Sequence, residues 1–234
     1  FGAEENALNN INFTAESGKT TAIIGSTGSG KTTLINLIPR FYDVSSGEIL
    51  INGVNIRNIE QHKLRSLIGY IPQKASLFSG TLESNLKYAD EEANNDLIEK
   101  AIRVSQSSEF VKEKGFDTEI SQGGNNLSGG QKQRVSIAKA LVKNPPIYIF
   151  DDSFSALDFK TDSLLRKALH EEVLGSTLII VAQRISTIKN ADKILVLNDG
   201  NLVGTGTHKE LLNNCETYRE IALSQLSKEE LNNE

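Results

Sequence analysis

One short segment constrains this chain more than any other: Gly25-Ser26-Thr27-Gly28-Ser29-Gly30-Lys31-Thr32. It follows an apolar run, residues 20–24, which reads as a buried strand. It precedes a stretch in which Leu34, Leu37 and Ile38 fall on one helical face, read as a helix from residue 31 to about residue 40. Strand, glycine loop and helix in that order form a phosphate cradle. Glycines let the backbone curl so that successive N–H groups face inward. Lys31 supplies a point charge for β- and γ-phosphates, and the Thr32 hydroxyl is a candidate Mg²⁺ ligand, with Thr33 beside it. Such a loop needs a carboxylate on a neighbouring strand, and Ile147-Tyr148-Ile149-Phe150-Asp151 ends an apolar run in one. Together the two segments imply a nucleoside triphosphate with Mg²⁺. They leave open which kind of phosphate-loop protein this is.

The remaining chain suggests an α/β fold: a mostly parallel sheet core, an antiparallel β portion and an inserted helical subdomain. Strand-like runs stand at residues 47–53, 67–71, 147–151, 178–182 and 194–197, with a helix at about 161–174. Pro72 halts the second of these. Between about 82 and 141 charge and helix formers dominate, as in residues 93–104 and 110–114. A Gly- and Asn-rich loop at 123–126 there leads into a long helix, 130 to about 143. The core is therefore placed at about 1–81 and 142–234, and the helical subdomain at about 82–141. Strands alternating with helices favour the parallel arrangement. The tail after His208 reads as two short helices with a frayed charged end, residues 228–234.

Composition narrows the function. Lys plus Arg is 25 and Asp plus Glu is 30, a net charge of −5, which gives no electrostatic case for nucleic acid as the main partner. The single cysteine, Cys215, excludes a disulfide framework and points to a reducing setting. No apolar run approaches the ~18 residues that span a bilayer, and no signal peptide opens the chain. A start at Phe1 and the absence of Met suggest a piece of something longer.

Far downstream of the first loop stands Leu127-Ser128-Gly129-Gly130-Gln131-Lys132-Gln133-Arg134. A Ser-Gly-Gly run opening a helix is a second anion-binding element, although Ser128 also suits a plain helix cap. Two phosphate elements in one chain make sense if two copies sandwich nucleotide. Here the sequence resembles the ATP-binding cassette (ABC) ATPases over essentially its whole length, with phosphate loop, glutamine loop, signature, Asp-ended strand, the Ser155-Ala156-Leu157-Asp158 loop and a switch segment in family order. Residues 70–82 and 199–212 resemble exporter-type cassettes, of multidrug or lipid type. The resemblance implies a P-loop NTPase (RecA-like) fold and a motor domain that dimerises around two Mg-ATP. Ser128, Gly129, Gly130 and Gln131 would contact the partner's ATP. Gln73 would touch Mg²⁺ or the attacking water; without the resemblance it is merely a polar residue after a proline. The implied partners are a transmembrane domain of the same transporter and a second ATP-binding domain, with this chain on the cytoplasmic side of the cell membrane. Phe1 and Ala3 lie near the family's adenine-stacking aromatic; Ala3 cannot stack.

Two departures stand out. The family's general base is a glutamate after the Walker B aspartate; here it is Asp152, one methylene shorter. The switch histidine is replaced by Gln183, which donates a hydrogen bond but carries no proton. Both changes together suggest the degenerate-site subunit of a heterodimeric exporter, with a homodimer that still hydrolyses ATP as the alternative. A nucleotide-gated clamp with little turnover and a soluble ABC ATPase outside transport also stay open. An ordinary P-loop kinase or GTPase is disfavoured by the signature. His62, His170 and His208 read as solvated, Cys215 as half-buried and Asp90-Glu91-Glu92 as a helix start; Asp158 suits a helix cap, and the resemblance makes it the end of an interface loop. Residues 119–123 partly match an acidic loop that contacts the transmembrane partner.

Overall fold

The computed structural model describes residues 7–173 and 175–226. In chain order the elements are β1 (Thr20–Gly25), α1 (Lys31–Leu37), β2 (Leu50–Ile51), β3 (Val54–Asn55), α2 (Gln61–Ser66), β4 (Ile68–Ile71), β5 (Gly80–Thr81), α3 (Leu82–Lys87), α4 (Asn95–Val104), α5 (Ser108–Lys114), β6 (Glu119–Ile120), α6 (Gly129–Val142), β7 (Ile147–Asp151), α7 (Phe159–Glu172), β8 (Thr177–Val181), α8 (Ile185–Ile188), β9 (Lys193–Asn198), β10 (Asn201–Gly206), α9 (His208–Asn214) and α10 (Glu216–Gln225). They fall into two compact units, one built from the described residues of 1–68 and 177–234, the other from those of 69–176.

In the first unit the strands lie in the order β10-β9-β1-β8. β1 runs parallel to both neighbours, with Thr20 opposite Leu178 and Gly25 opposite Leu197. A strand covered on both faces needs an unbroken apolar run, and Ala22, Ile23 and Ile24 are wholly buried, as are Ile194 to Leu197 on β9. β10 folds back antiparallel on β9 through Asp199-Gly200, both at positive φ, as a tight hairpin turn requires. A second hairpin, β2–β3, turns on Asn52-Gly53 in the same way. The strand expected at 47–53 is thus only its Leu50–Ile51 part. α1 stops at Leu37, short of residue 40, because Pro39 has no N–H to continue it and Arg40 turns to φ 53°.

In the second unit β7 lies beside β4, with Tyr148, Ile149 and Phe150 buried. The block expected to be helical, about 82–141, holds α3, α4, α5 and nearly all of α6, interrupted by the two-residue β6, which pairs with β5. α6 packs on α3 and α4; α4 turns Ile98, Ala101 and Ile102 inward, the i, i+3, i+4 spacing of a buried stripe.

Three surface readings are corrected. His208 is buried, its Nδ1 2.6 Å from the Tyr218 hydroxyl on α10, because the first turn of α9 packs against α10. Cys215 is buried rather than half-buried, sitting where α9 meets α10 under Gly204. Asp90-Glu91-Glu92 lie in the turn before α4, whose cap is Asn94, accepting from the Leu97 N–H at 2.9 Å. His62 and His170 are exposed, as read. Phe1, Ala3 and residues 228–234 lie outside the described residues.

Candidate functional site

The glycine loop of the first unit joins the end of β1 to the start of α1. Gly28 and Gly30 take φ of 84° and 97°, conformations that disfavour any side chain. Gly25 is fixed by contact instead: a methyl there would overlap the Leu197 carbonyl oxygen of β9 and lie 2.7 Å from Ser29 Oγ. Ser26, Thr27 and Gly28 form the exposed crest, and Ser29 is buried beneath it. Lys31 is itself buried and folds back inside the loop, donating to the Gly25 carbonyl at 2.8 Å, the Ser26 carbonyl at 2.7 Å and Ser29 Oγ at 3.4 Å. The ammonium thus holds the curl of the loop from within. Thr32 is exposed and Thr33 half-buried at the head of α1.

In the second unit the acidic end of β7 is a hydrogen-bonded cluster. Asp151 is 5% exposed and its Oδ2 accepts from the Tyr70 hydroxyl of β4 at 3.2 Å. Burial first, then the neighbouring carboxylate, pushes the Tyr70 pKa well above its ordinary value, so the phenol keeps its proton and donates. Asp152, also buried, stands at φ 45°. That conformation is tolerated better by Asp than by most residues. Its Oδ2 accepts from Gln73 Nε2 at 3.0 Å. The glutamine and the aspartate that the sequence placed in one reaction therefore touch. Ser153 follows, wholly buried, its hydroxyl without a hydrogen-bond partner among the described residues. Ser155 Oγ donates to the Asp152 carbonyl at 2.7 Å. Asp158 caps α7, accepting from Thr161 N at 3.0 Å and Thr161 Oγ1 at 2.7 Å; those bonds hold its carboxyl below the ordinary carboxylate range.

The start of α6 is exposed at Ser128 and Gly129. Ser128 and Gln131 form a reciprocal capping box: Ser128 Oγ accepts from Gln131 N at 3.2 Å, and Gln131 Oε1 accepts from Ser128 N at 3.0 Å. A hydroxyl that accepts keeps its own proton to donate, so capping leaves Ser128 able to meet an anion. A methyl placed on Gly129 would find open space. The loop before it is set by Asn126, whose Oδ1 accepts from Ser121 N and Oγ, both at 3.0 Å, while its Nδ2 donates to the Glu119 carbonyl at 2.7 Å. Gln133, buried on α6, donates to the Pro72 carbonyl at 3.3 Å and so ties the signature helix to the residue before Gln73.

Gln183 lies in the first unit, exposed in the short link between β8 and α8. Its carbonyl accepts from Gln225 Nε2 on α10 at 2.7 Å. Sequence reasoning missed Tyr70, Asn126, Gln133 and Gln225. Their partners stand as far as 81 residues away in the chain, and no local pattern announces them.

A glycine loop closed on its own lysine between β1 and α1, on a largely parallel sheet, defines the chain as a P-loop NTPase. The chain matches the family model described as ABC transporter over residues 8–155. It is 46% identical over 227 residues to an uncharacterized ABC transporter ATP-binding protein of Mycobacterium bovis, covering 96% of this chain and 39% of that one. It is 42% identical over 230 residues to the ATP-dependent lipid A-core flippase of Haemophilus influenzae, covering 97% and 39%. Among solved structures it matches a bacterial Atm1-family ABC exporter with ATP bound, at a TM-score of 0.93 and 37% identity, covering 97% of this chain and 41% of that one. The chain belongs to the ABC transporter family, as an ATP-binding domain and hence an ATPase by class. It spans 39% of the length of these two curated relatives.

Proposed function

We propose that this chain is the ATP-driven motor domain of an exporter, dimerising around two nucleotides and passing closure to a transmembrane domain on the cytoplasmic side of the cell membrane. The observation that carries this reading is the solvent-facing start of α6: Ser128 and Gly129 are exposed and the space over Gly129 is open. A second anion-binding element whose first residues face open space suits a phosphate brought by a partner domain. The crest Ser26–Thr27–Gly28 presents backbone N–H groups to the chain's own triphosphate, and Lys31 exchanges loop carbonyls for phosphate oxygens. Thr32, Asp151 and Gln73 offer a hydroxyl, a carboxylate and an amide oxygen, the hard donors Mg²⁺ takes. Gln73 gives its amide N–H to Asp152, which leaves its oxygen as the atom to face a cation. Held by donors of this kind, Mg²⁺ would neutralise charge on the β- and γ-phosphates.

The chain's own site is slow in this reading. Asp152 is shorter than the glutamate usual in the family, and its Oδ2 is already engaged by Gln73, so its reach toward an attacking water is reduced. Gln183 donates but cannot hold a positive charge. The intact signature would complete the competent site of a partner that supplies the Glu and the His. The Gln73–Asp152 bond also suits a second reading, a nucleotide-gated clamp that dimerises on ATP with little turnover. Single-turnover hydrolysis of ATP by this chain beside the Asp152→Glu, Gln183→His double variant tests the slow site. A large gain in the variant is expected, and equal rates would end the idea. A hydrolysis rate that rises more steeply than linearly with protein concentration supports the motor; ATP-dependent dimers without turnover support the clamp.

A further inference from the structure

The link between β8 and α8 is three residues of backbone, 182–184. β8 ends at Val181 and α8 starts at Ile185. α8 is a single turn, and its cap residue, Arg184, makes no side-chain cap hydrogen bond. The first N–H groups of a helix are orphan donors that a cap normally satisfies. Here the cap comes from 40 residues downstream. Gln225, the last residue of α10, accepts from Ile185 N at 2.8 Å through Oε1 and donates to the Gln183 carbonyl at 2.7 Å through Nε2. One side-chain amide therefore grips a donor and an acceptor two residues apart. It does for this link what a paired strand would do, and it fixes the peptide planes on both sides of Arg184. α10 is in turn anchored by Tyr218 and Ala222, both fully buried, and packs against β1, β9 and α8. The grip thus runs from the sheet that carries the glycine loop to the backbone that carries Gln183.

We infer that Gln225 is the positioning residue of the Gln183 segment, acting as a remote cap for α8 and a clamp on the Gln183 carbonyl. The inference rests on the reading of Gln183 as the switch residue facing the γ-phosphate. Gln225 touches no reacting atom; it sets the direction in which the Gln183 side chain leaves the backbone.

Two variants separate its two bonds. Gln225→Met keeps the length and helix propensity and removes both bonds. Gln225→Glu keeps an acceptor for Ile185 N and, ionised at neutral pH, loses the donor to the Gln183 carbonyl. Amide hydrogen exchange of the whole chain, read at Ile185, should rise about tenfold in Gln225→Met and stay near the parent in Gln225→Glu. Single-turnover hydrolysis at saturating ATP should fall about threefold to tenfold in Gln225→Met and by a smaller factor in Gln225→Glu, at an unchanged KM for ATP. Exchange at Ile185 that matches the parent in Gln225→Met would overturn the clamp. So would faster exchange with unchanged hydrolysis, provided Gln183→Ala lowers hydrolysis. Should Gln183→Ala leave hydrolysis unchanged, it is the switch reading of Gln183 that fails, and exchange at Ile185 still decides whether the clamp exists. A rise in KM equal to the fall in rate would mark a general loss of the nucleotide site and overturn the positioning role.

Discussion

The same chemical change, glycine to alanine, should have opposite effects on stability at Gly25 and at Gly129. At Gly25 the added methyl would enter the van der Waals envelope of the Leu197 carbonyl oxygen and come to 2.7 Å from Ser29 Oγ. Neither Gly25 nor the Leu197 carbonyl is the end of a flexible side chain. Both are main chain in parallel strands, with Gly25 directly opposite Leu197. Relief requires the end of β1 to part from β9 by on the order of 1 Å, which breaks ladder bonds there. Overpacking costs about 1–3 kcal/mol and each lost bond about 1 kcal/mol, so Gly25→Ala should cost about 3–5 kcal/mol. For a chain of this size that lowers the melting temperature by about 6–20 °C. At Gly129 a methyl meets nothing within 4 Å at the first residue of α6. Alanine there removes unfolded-state freedom and should stabilise by about 0.4–1 kcal/mol, a rise of about 1–4 °C. Thermal unfolding followed by far-UV circular dichroism reads both. A Gly25→Ala melt within about 2 °C of the parent would refute the steric argument, as would a Gly129→Ala melt below that of Gly25→Ala. In the proposed function Gly129→Ala is nonetheless harmful. The methyl fills the space left for a partner's phosphate, so ATP-dependent dimerisation should weaken in a protein that is more stable than its parent.

Tyr70→Phe removes the hydroxyl that donates to Asp151 at 3.2 Å; under the proposal that Asp151 holds Mg²⁺, loss of this orienting bond should raise the Mg²⁺ needed for half-maximal hydrolysis about tenfold, read by Mg²⁺ titration at saturating ATP. Ser153→Ala deletes a buried hydroxyl with no partner among the described residues and should stabilise by about 1 kcal/mol, or about 2–4 °C in a thermal melt. Asp158→Asn keeps a good cap for α7 but cannot titrate. The Asp158 pKa is lowered below its ordinary 3.8, so its carboxylate stabilises the fold above that value and the contribution is lost as pH falls through the folded pKa. The parent's melting temperature should therefore drop more steeply than the variant's below about pH 4, and parallel acid limbs would contradict the assignment.

The glycine loop was legible in the sequence because its chemistry is local. Lys31 bonds back to Gly25, Ser26 and Ser29 within the loop, while from afar the β9 backbone excludes a side chain at Gly25 and Gly200 N donates to the Ser29 carbonyl at 3.3 Å. The capping box at Ser128 and Gln131 was equally local. β1 and β9 announced themselves as apolar runs because both are buried on both faces. The failures share a cause. His208 looked like a surface residue because its sequence neighbours are polar, yet the packing of α9 on α10 buries it against Tyr218. The strand at 47–53 was overextended because β-branched and apolar residues promise a strand that only a pairing partner can deliver, and β3 is two residues long.

The least legible feature was the role of side-chain amides, and it bears most on the slow-site reading. In the second unit Gln73 holds the Asp152 carboxylate by one N–H. In the first, Gln225 holds the backbone of the Gln183 link by two bonds. At both positions where this chain departs from the family pattern, an amide restrains the departing residue or its backbone. A glutamate at 152 would place its carboxyl one methylene farther out. It would then have to break the Gln73 bond or carry the Gln73 side chain with it, and it would do so from a backbone at φ 45°, which suits Asp better than Glu. Restoring the family's residue at 152 alone therefore changes the Gln73 contact as well as the reach. The gain from Asp152→Glu should depend on Gln73: a double-mutant cycle with Gln73→Ala should show coupling between the two positions of about 1 kcal/mol or more in the hydrolysis barrier. Additive effects would mean that the Gln73 bond does not restrain the base.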